Sequence, residues 1–135
     1  MIDAEAATAL ARAWDEGWNG EDVERIVAPF ADDVVFSSAF VSRIGDDRSS
    51  NAIVGADALR AYVTAALTRT PGIRYTVDNV HLGPDSVILD YTVSFPDGRP
   101  DTIGADFLRV NDEGKVAEWR SHYPVAFTTA PLPGD

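Results

Sequence analysis

The chain has no cysteine, a single lysine (Lys115) and only two histidines, His81 and His122, in 135 residues. Without cysteine there is no disulfide, no thiolate nucleophile and no cysteine-held metal. Two histidines are too few to suggest a histidine metal site, so neither metal nor cofactor is expected. Positive charge is also scarce. Lys and Arg total 11 against 22 Asp and Glu, a net charge of -11. That balance opposes binding to nucleic acid or to anionic membrane surfaces. No apolar run approaches membrane-spanning length. The start, Met1-Ile2-Asp3-Ala4-Glu5, does not read as a signal peptide, so a cytoplasmic location is expected.

What remains is ordinary globular composition: 45% hydrophobic and 24% charged residues. The length suits one domain over 1–135, with a core from about 4 to 123 and an extended tail over 124–135. Residues Ala4 to Trp18 repeat apolar positions at helical spacing, with Ala7, Leu10, Trp14 and Trp18 on one face. Gly17, Asn19 and Gly20 should end this helix through a left-handed turn. A short second helix carries Val23, Ile26, Val27 and Phe30. Ala31-Asp32-Asp33 reads as a turn, and Val34-Val35-Phe36 opens a strand. Residues 43–51 form a polar loop. A third helix spans about Ala56 to Thr68 with Leu59, Tyr62, Val63 and Leu67 inward, and Pro71-Gly72 ends it.

The rest alternates with period two, the mark of half-buried antiparallel strands. The strands are Ile73–Leu82, Ser86–Phe95, Thr102–Val110 and Lys115–Tyr123. Asn111-Asp112-Glu113-Gly114 supplies a hairpin turn. The tail from Pro124 also carries Pro131 and Pro133 and cannot extend a central strand. Helices followed by meandering strands indicate α+β, with a cone-shaped curved antiparallel sheet wrapped around the N-terminal helices.

One residue breaks the apolar pattern. Along Thr102–Val110, Asp106 shares a face with Leu108 and Val110. A carboxyl on an inward face must be paired, hydrogen-bonded or neutralised. Burial would raise its pKa, as a general acid or base near neutral pH requires. The inward faces gather Trp14, Phe36, Tyr62, Tyr91, Val93, Asp106, Leu108, Trp119, Ser121 and Tyr123. Ser38 follows the Phe36 strand. This composition, aromatic with one carboxyl, is that of a small-molecule pocket.

The order of elements and several segments resemble the nuclear transport factor two-like superfamily, and within it the SnoaL-like and ketosteroid-isomerase-like proteins. The segments are Trp14-Asp15-Glu16-Gly17-Trp18-Asn19-Gly20-Glu21-Asp22, Phe30-Ala31-Asp32-Asp33-Val34-Val35-Phe36, Gly55-Ala56-Asp57-Ala58-Leu59 and the hairpin from Asp106 to Val116. The resemblance implies a cystatin-like α+β barrel. It places Asp106 where ketosteroid isomerases keep a protonated aspartic acid in their oxyanion hole, and Tyr62 where a tyrosine supports that network. Ser38 stands in place of the catalytic base and Trp14 in place of the oxyanion tyrosine. A serine is a poor base, and an indole N–H only donates.

The expected function is binding of a small apolar carbonyl compound. Asp106 would move a proton, with Tyr62 and Tyr123 orienting it or the substrate oxygen, in a cofactor-independent isomerase, cyclase or dehydratase. A non-catalytic ligand-binding or interaction module and an epoxide-hydrolase-like enzyme are the alternatives. Arg43 and Arg48 are candidates to cover the pocket mouth. A homodimer is expected through the outer sheet face, which carries Asp90, Thr92, Ser94, Arg120 and His122.

Overall fold

The structure is a computed structural model that describes residues 2–45 and 49–131. Helix α1 spans Ala4–Asn19. It begins where the Asp3 side chain accepts the Ala6 N–H at 2.8 Å, and it buries Ala7, Ala11, Trp14 and Gly17. It runs through Gly17 because that glycine is needed for close packing: a Cβ there would lie 2.8 Å from Ile26 Cγ1. Gly20 stays right-handed, and the left-handed residue of the turn is Glu21, at φ 52°. The expected glycine turn is therefore displaced by one residue.

Helix α2 (Val23–Val27) is capped by Asp22 and buries Ile26 and Val27. Phe30, expected at its end, instead opens strand β1 (Phe30–Ser37). Asp32 and Asp33 are exposed residues of that strand rather than a turn. The ladder with its neighbour slips between Phe30 and Val35, so the two carboxylates sit at a bulge, where they stay hydrated. The segment expected as a polar loop, 43–51, begins inside a short helix, α3 (Val41–Ile44), and is followed by strand β2 (Ala52–Val54). Arg48 lies outside the described residues. Helix α4 (Ala56–Arg69) buries Leu59, Tyr62 and Val63.

Strands β3 (Arg74–Leu82), β4 (Ser86–Ser94), β5 (Thr102–Val110) and β6 (Val116–His122) complete one curved, unclosed six-stranded sheet in the order β2-β1-β6-β5-β4-β3. All neighbours are antiparallel except β1 and β6, which pair in parallel. This corrects the expectation of a wholly antiparallel sheet. A chain passing through α4 and four strands between β1 and β6 is not held to hairpin geometry. Bulges between Val77 and Asn79 and between Arg109 and Val110 bend the sheet around the helices. On β4, Val87, Leu89, Tyr91 and Val93 are buried at 4% exposure or less, as alternation requires.

The tail expected to be extended forms a fifth helix, α5 (Val125–Thr129), after Pro124 at its N-cap. Proline suits a helix entrance, where its missing N–H costs nothing. Phe127 holds the helix in place against Phe40, Phe95 and Tyr123. Among the described residues, no helix is long and apolar enough to cross a membrane.

Candidate functional site

Between the sheet and helices α1, α3, α4 and α5 lies a cavity of about 100 Å³. All 3 tryptophans and all 4 tyrosines of the chain line it. Asp106, on β5, forms part of its wall and is 1% exposed. The residue therefore faces inward, as its place beside Leu108 suggested.

Its carboxyl is fully engaged. Trp119 Nε1 donates to Oδ2 at 2.8 Å, and Trp14 Nε1 donates to the same oxygen at 3.2 Å. The Tyr91 hydroxyl donates to Oδ1 at 2.8 Å. Ser121, opposite Asp106 in the ladder, lies beside the carboxyl and also favours its charged form. Burial pushes the Asp106 pKa up, and Trp119, Tyr91, Ser121 and Trp14 only partly offset that effect. An indole can only donate, so Oδ2 must stay an acceptor. A proton on Asp106 therefore belongs on Oδ1, where it would be donated to the Tyr91 oxygen. Tyr123 borders the same cavity, near enough to Tyr91 for the two phenols to influence each other's protonation.

The sequence places these groups by simple rules. Tyr91 and Asp106 belong to adjacent strands, with Tyr91 opposite Gly104. A Cβ on Gly104 would lie 2.7 Å from the Tyr91 hydroxyl oxygen, so glycine lets the phenol lie across β5 and reach Asp106. Tyr75, on β3, is held at both backbone atoms by Asn19. Its N–H donates to Oδ1 at 2.7 Å, and its carbonyl accepts from Nδ2 at 2.8 Å. Burial raises the pKa of Tyr62 and Tyr75, and of Tyr91 and Tyr123 more strongly, so all four are neutral phenols near pH 7.

Of the residues proposed from sequence, Asp106, Tyr62, Tyr123, Trp14, Phe36, Ser38, Tyr91, Val93, Trp119 and Ser121 border this one cavity. Leu108 does not. It pairs with fully buried Val87, one step beyond Asp106, where the sheet is covered by solid core. Ser38 Oγ accepts the Phe40 N–H at 3.2 Å, a local turn that occupies the position where a base would stand. Trp14 spends its N–H on Asp106. His81 bonds Asp90 at 2.9 Å on the outer sheet face, and exposed His122 points away from the cavity. Arg43 reaches α5 instead of a ligand, donating to the carbonyls of Thr128 and Ala130 at 3.1 and 2.9 Å.

Sequence reasoning missed Tyr75, Phe40 and Phe127 as lining residues. Tyr75 had a legible signal, because it shares the inward face of its strand with buried Ile73. Phe127 had none once the tail was read as extended. Among the described residues, no cluster of side chains could hold a metal ion.

An open, six-stranded sheet curved over helices, with an aromatic cavity and one buried carboxyl, defines the class of small α+β pocket proteins. The SnoaL-like domain family matches residues 11–119, and the chain belongs to that family. Among solved structures it is similar to a SnoaL-like protein of unknown function from Burkholderia thailandensis, at 24% identity and TM-score 0.79, covering 91% of this chain and 98% of the other. It is similar to a candidate ketosteroid isomerase from Kribbella flavida, at 26% identity and TM-score 0.70, covering 99% and 87%. It also shares its fold with an epoxide hydrolase from Mycobacterium tuberculosis, at 17% identity and TM-score 0.68, covering 90% and 85%. No curated protein matches the sequence.

Proposed function

We propose that this protein binds a small, largely apolar carbonyl compound and moves a proton on it without a cofactor, as an isomerase, cyclase or dehydratase does. The observation that carries the reading is Asp106. A carboxyl 1% exposed, its pKa raised by burial, stands in the wall of an aromatic cavity. A carboxyl shifted upward in this way holds its proton more readily than a free one, as a general acid or base must. Both its oxygens are occupied, so the exchange runs through the Tyr91 hydroxyl, with Tyr123 beyond it. Trp14, Trp119 and Phe36 supply apolar walls.

A second reading is a non-catalytic ligand-binding module. The same saturated carboxyl supports it, as does the tethered Ser38, which leaves no free base beside the ligand. Epoxide hydrolysis has less support, because it calls for several polar groups around one water.

Asp106→Asn separates the first two readings. Its amide oxygen keeps both indole bonds and its NH₂ faces Tyr91, while the exchangeable proton is lost. Under the enzyme reading turnover falls by roughly 10²–10⁴-fold, the usual worth of a general acid or base, with ligand affinity nearly kept. Unchanged turnover of a carbonyl substrate would sink the assigned role of Asp106.

We also propose a homodimer through the outer sheet face. That face carries Ile88 and Ile103, 41% and 61% exposed, and Phe107 beneath the Arg120 guanidinium. It is therefore more apolar than Asp90, Thr92, Ser94, Arg120 and His122 alone suggest. Arg109, Glu118 and Arg120 alternate in sign beside it, a pattern that a second copy can complement.

A further inference from the structure

Three groups able to donate a hydrogen bond line the cavity without a partner among the described residues. Tyr62 is 8% exposed and Tyr75 half-buried. Both border the cavity, and neither hydroxyl has a hydrogen-bond partner among the described residues, unlike that of Tyr91. The indole N–H of Trp18, buried in the same wall, is also without a partner. A buried donor left unpaired costs about 1–3 kcal/mol, as at the Trp18 N–H, and the two phenol hydroxyls open into the cavity beside it, so this wall offers its donors to an acceptor.

The rest of the lining limits what that acceptor is. Among its described residues there is no Lys, Arg or His, and its charged or ionisable acids are Asp106 and Glu21. A carboxylate or phosphate on the ligand would meet those acids with no cation to balance it. An organic cation would need a free carboxylate oxygen. Both oxygens of Asp106 are taken, and Glu21, whose Oε1 accepts the Gly72 N–H at 2.8 Å, is exposed, so the buried wall itself offers a cation no free carboxylate oxygen.

We propose that Tyr62 and Tyr75 form a two-hydroxyl clamp for one oxygen of an uncharged, flat, apolar ligand, and that the site rejects acids. The inference rests on the ligand-pocket reading above and deepens it. Two elements far apart in sequence carry the clamp, α4 for Tyr62 and β3 for Tyr75. Each ring is set by its surroundings: Phe36 packs on Tyr62 with centroids 5.4 Å apart, and Trp14 meets Tyr75 edge-on at 5.4 Å. Asn19 fixes the Tyr75 backbone, so the hydroxyl is placed before the ligand arrives. The clamp takes over the oxygen-binding task that Trp14 cannot perform. Donors already aimed at the oxygen would also stabilise negative charge developing on it.

The test uses three matched probes: 2-acetylnaphthalene, 2-ethylnaphthalene, which lacks the oxygen, and 2-naphthoate. Binding is measured by calorimetry on wild type, Tyr62→Phe and Tyr75→Phe, and the carbonyl stretch of bound 2-acetylnaphthalene by infrared difference spectroscopy. The expected result is a lowered stretch in wild type that partly reverts in each variant. Each variant should lose roughly tenfold in affinity for the ketone. Binding of 2-ethylnaphthalene should be unchanged, which also shows that the variants are folded. The naphthoate should bind wild type at least about tenfold more weakly than the ketone. Ketone and hydrocarbon binding wild type and both variants alike, with an unshifted stretch, would overturn the clamp and leave the pocket reading standing. Naphthoate binding as tightly as the ketone would overturn the selectivity for uncharged ligands. Failure of all three probes to bind wild type would remove the pocket reading, and the clamp with it.

Discussion

Gly104 lies directly beneath the ring of Tyr91, so close that a Cβ would stand 2.6 Å from Cε2 and 2.7 Å from the hydroxyl oxygen. The ring has no easy retreat, because Trp14 packs on it with centroids 4.6 Å apart and Tyr75 at 5.9 Å. Gly104→Ala should therefore displace Tyr91 from Asp106 and cost about 1–3 kcal/mol, the usual penalty of overpacking a core. Urea unfolding measures that cost. A variant as stable as wild type, with the Tyr91 ring unmoved by NMR, would refute the account.

Asp106 offers a contrast between two substitutions. Asparagine keeps an acceptor for Trp14 and Trp119 and a group for Tyr91, so we expect stability within about 1 kcal/mol of wild type. Leucine is close in bulk but leaves two indole donors and a phenol unpaired in the core. At about 1–3 kcal/mol for each buried unmet donor, Asp106→Leu should lose several kcal/mol or fail to fold. Equal stability of the two variants would mean that the network is not what holds this region.

The inward carboxyl was legible because alternation along Thr102–Val110 admits only two faces, and Leu108 identifies the buried one. The aromatic lining followed from the same rule applied to β4 and β6. Three things were not legible, for different reasons. Parallel pairing of β1 with β6 joins residues more than 80 positions apart, and no local pattern encodes it. Helix α5 is five residues long and buries nothing completely, so its form depends on Phe127 finding Phe40 and Phe95 rather than on propensity. The saturation of Asp106 depends on where two indole nitrogens point, and rotamers are fixed only by the assembled core.

The pH dependence of stability follows from the direction of the Asp106 shift. Burial raises its folded pKa above the unfolded value of roughly 3.9. The folded state then binds the proton more tightly than the unfolded chain. This contribution is fully present below about pH 3.9 and is lost as pH rises through the folded pKa. Half-buried Asp90 and Glu118, on the outer sheet face, shift the opposite way, held down by partners such as Asn79 and Arg120, and they favour the folded state at higher pH. Comparing wild type with Asp106→Asn cancels those terms. The stability of the variant relative to wild type should rise between pH 4 and the folded pKa and level off above it. A flat difference from pH 4 to 9 in urea midpoints would show that Asp106 titrates alike in both states.

The proposed dimer makes a separate demand on the outer face. Phe107 lies near its centre, paired with Ile88 and Arg120 across the ladder and covered by the Arg120 guanidinium at 5.9 Å. Phe107→Glu places a charge in that apolar centre and, in a symmetric pair, a like charge opposite or near it. Light scattering at micromolar concentration should report a dimer for wild type and a monomer for the variant. A wild-type monomer would count against the interface outright.

Arg43 holds α5 by hydrogen bonds to the carbonyls of Thr128 and Ala130, while Phe127 of the same helix borders the cavity. The helix contributes no fully buried residue, so local opening should be inexpensive. Removing a charged donor from two carbonyls should cost about 1–2 kcal/mol locally. Arg43→Ala should then speed amide exchange at Phe127, Thr128 and Ala130 by roughly tenfold, with little change in the unfolding midpoint. Because the helix forms one wall of the cavity, ligand association and dissociation should quicken together while affinity changes little. Lysine at position 43 carries the charge but lacks the fork that spans two carbonyls, so it should restore only part of the protection. Exchange at these three amides unchanged in Arg43→Ala would show that the ring contacts of Phe127 alone hold the wall in place.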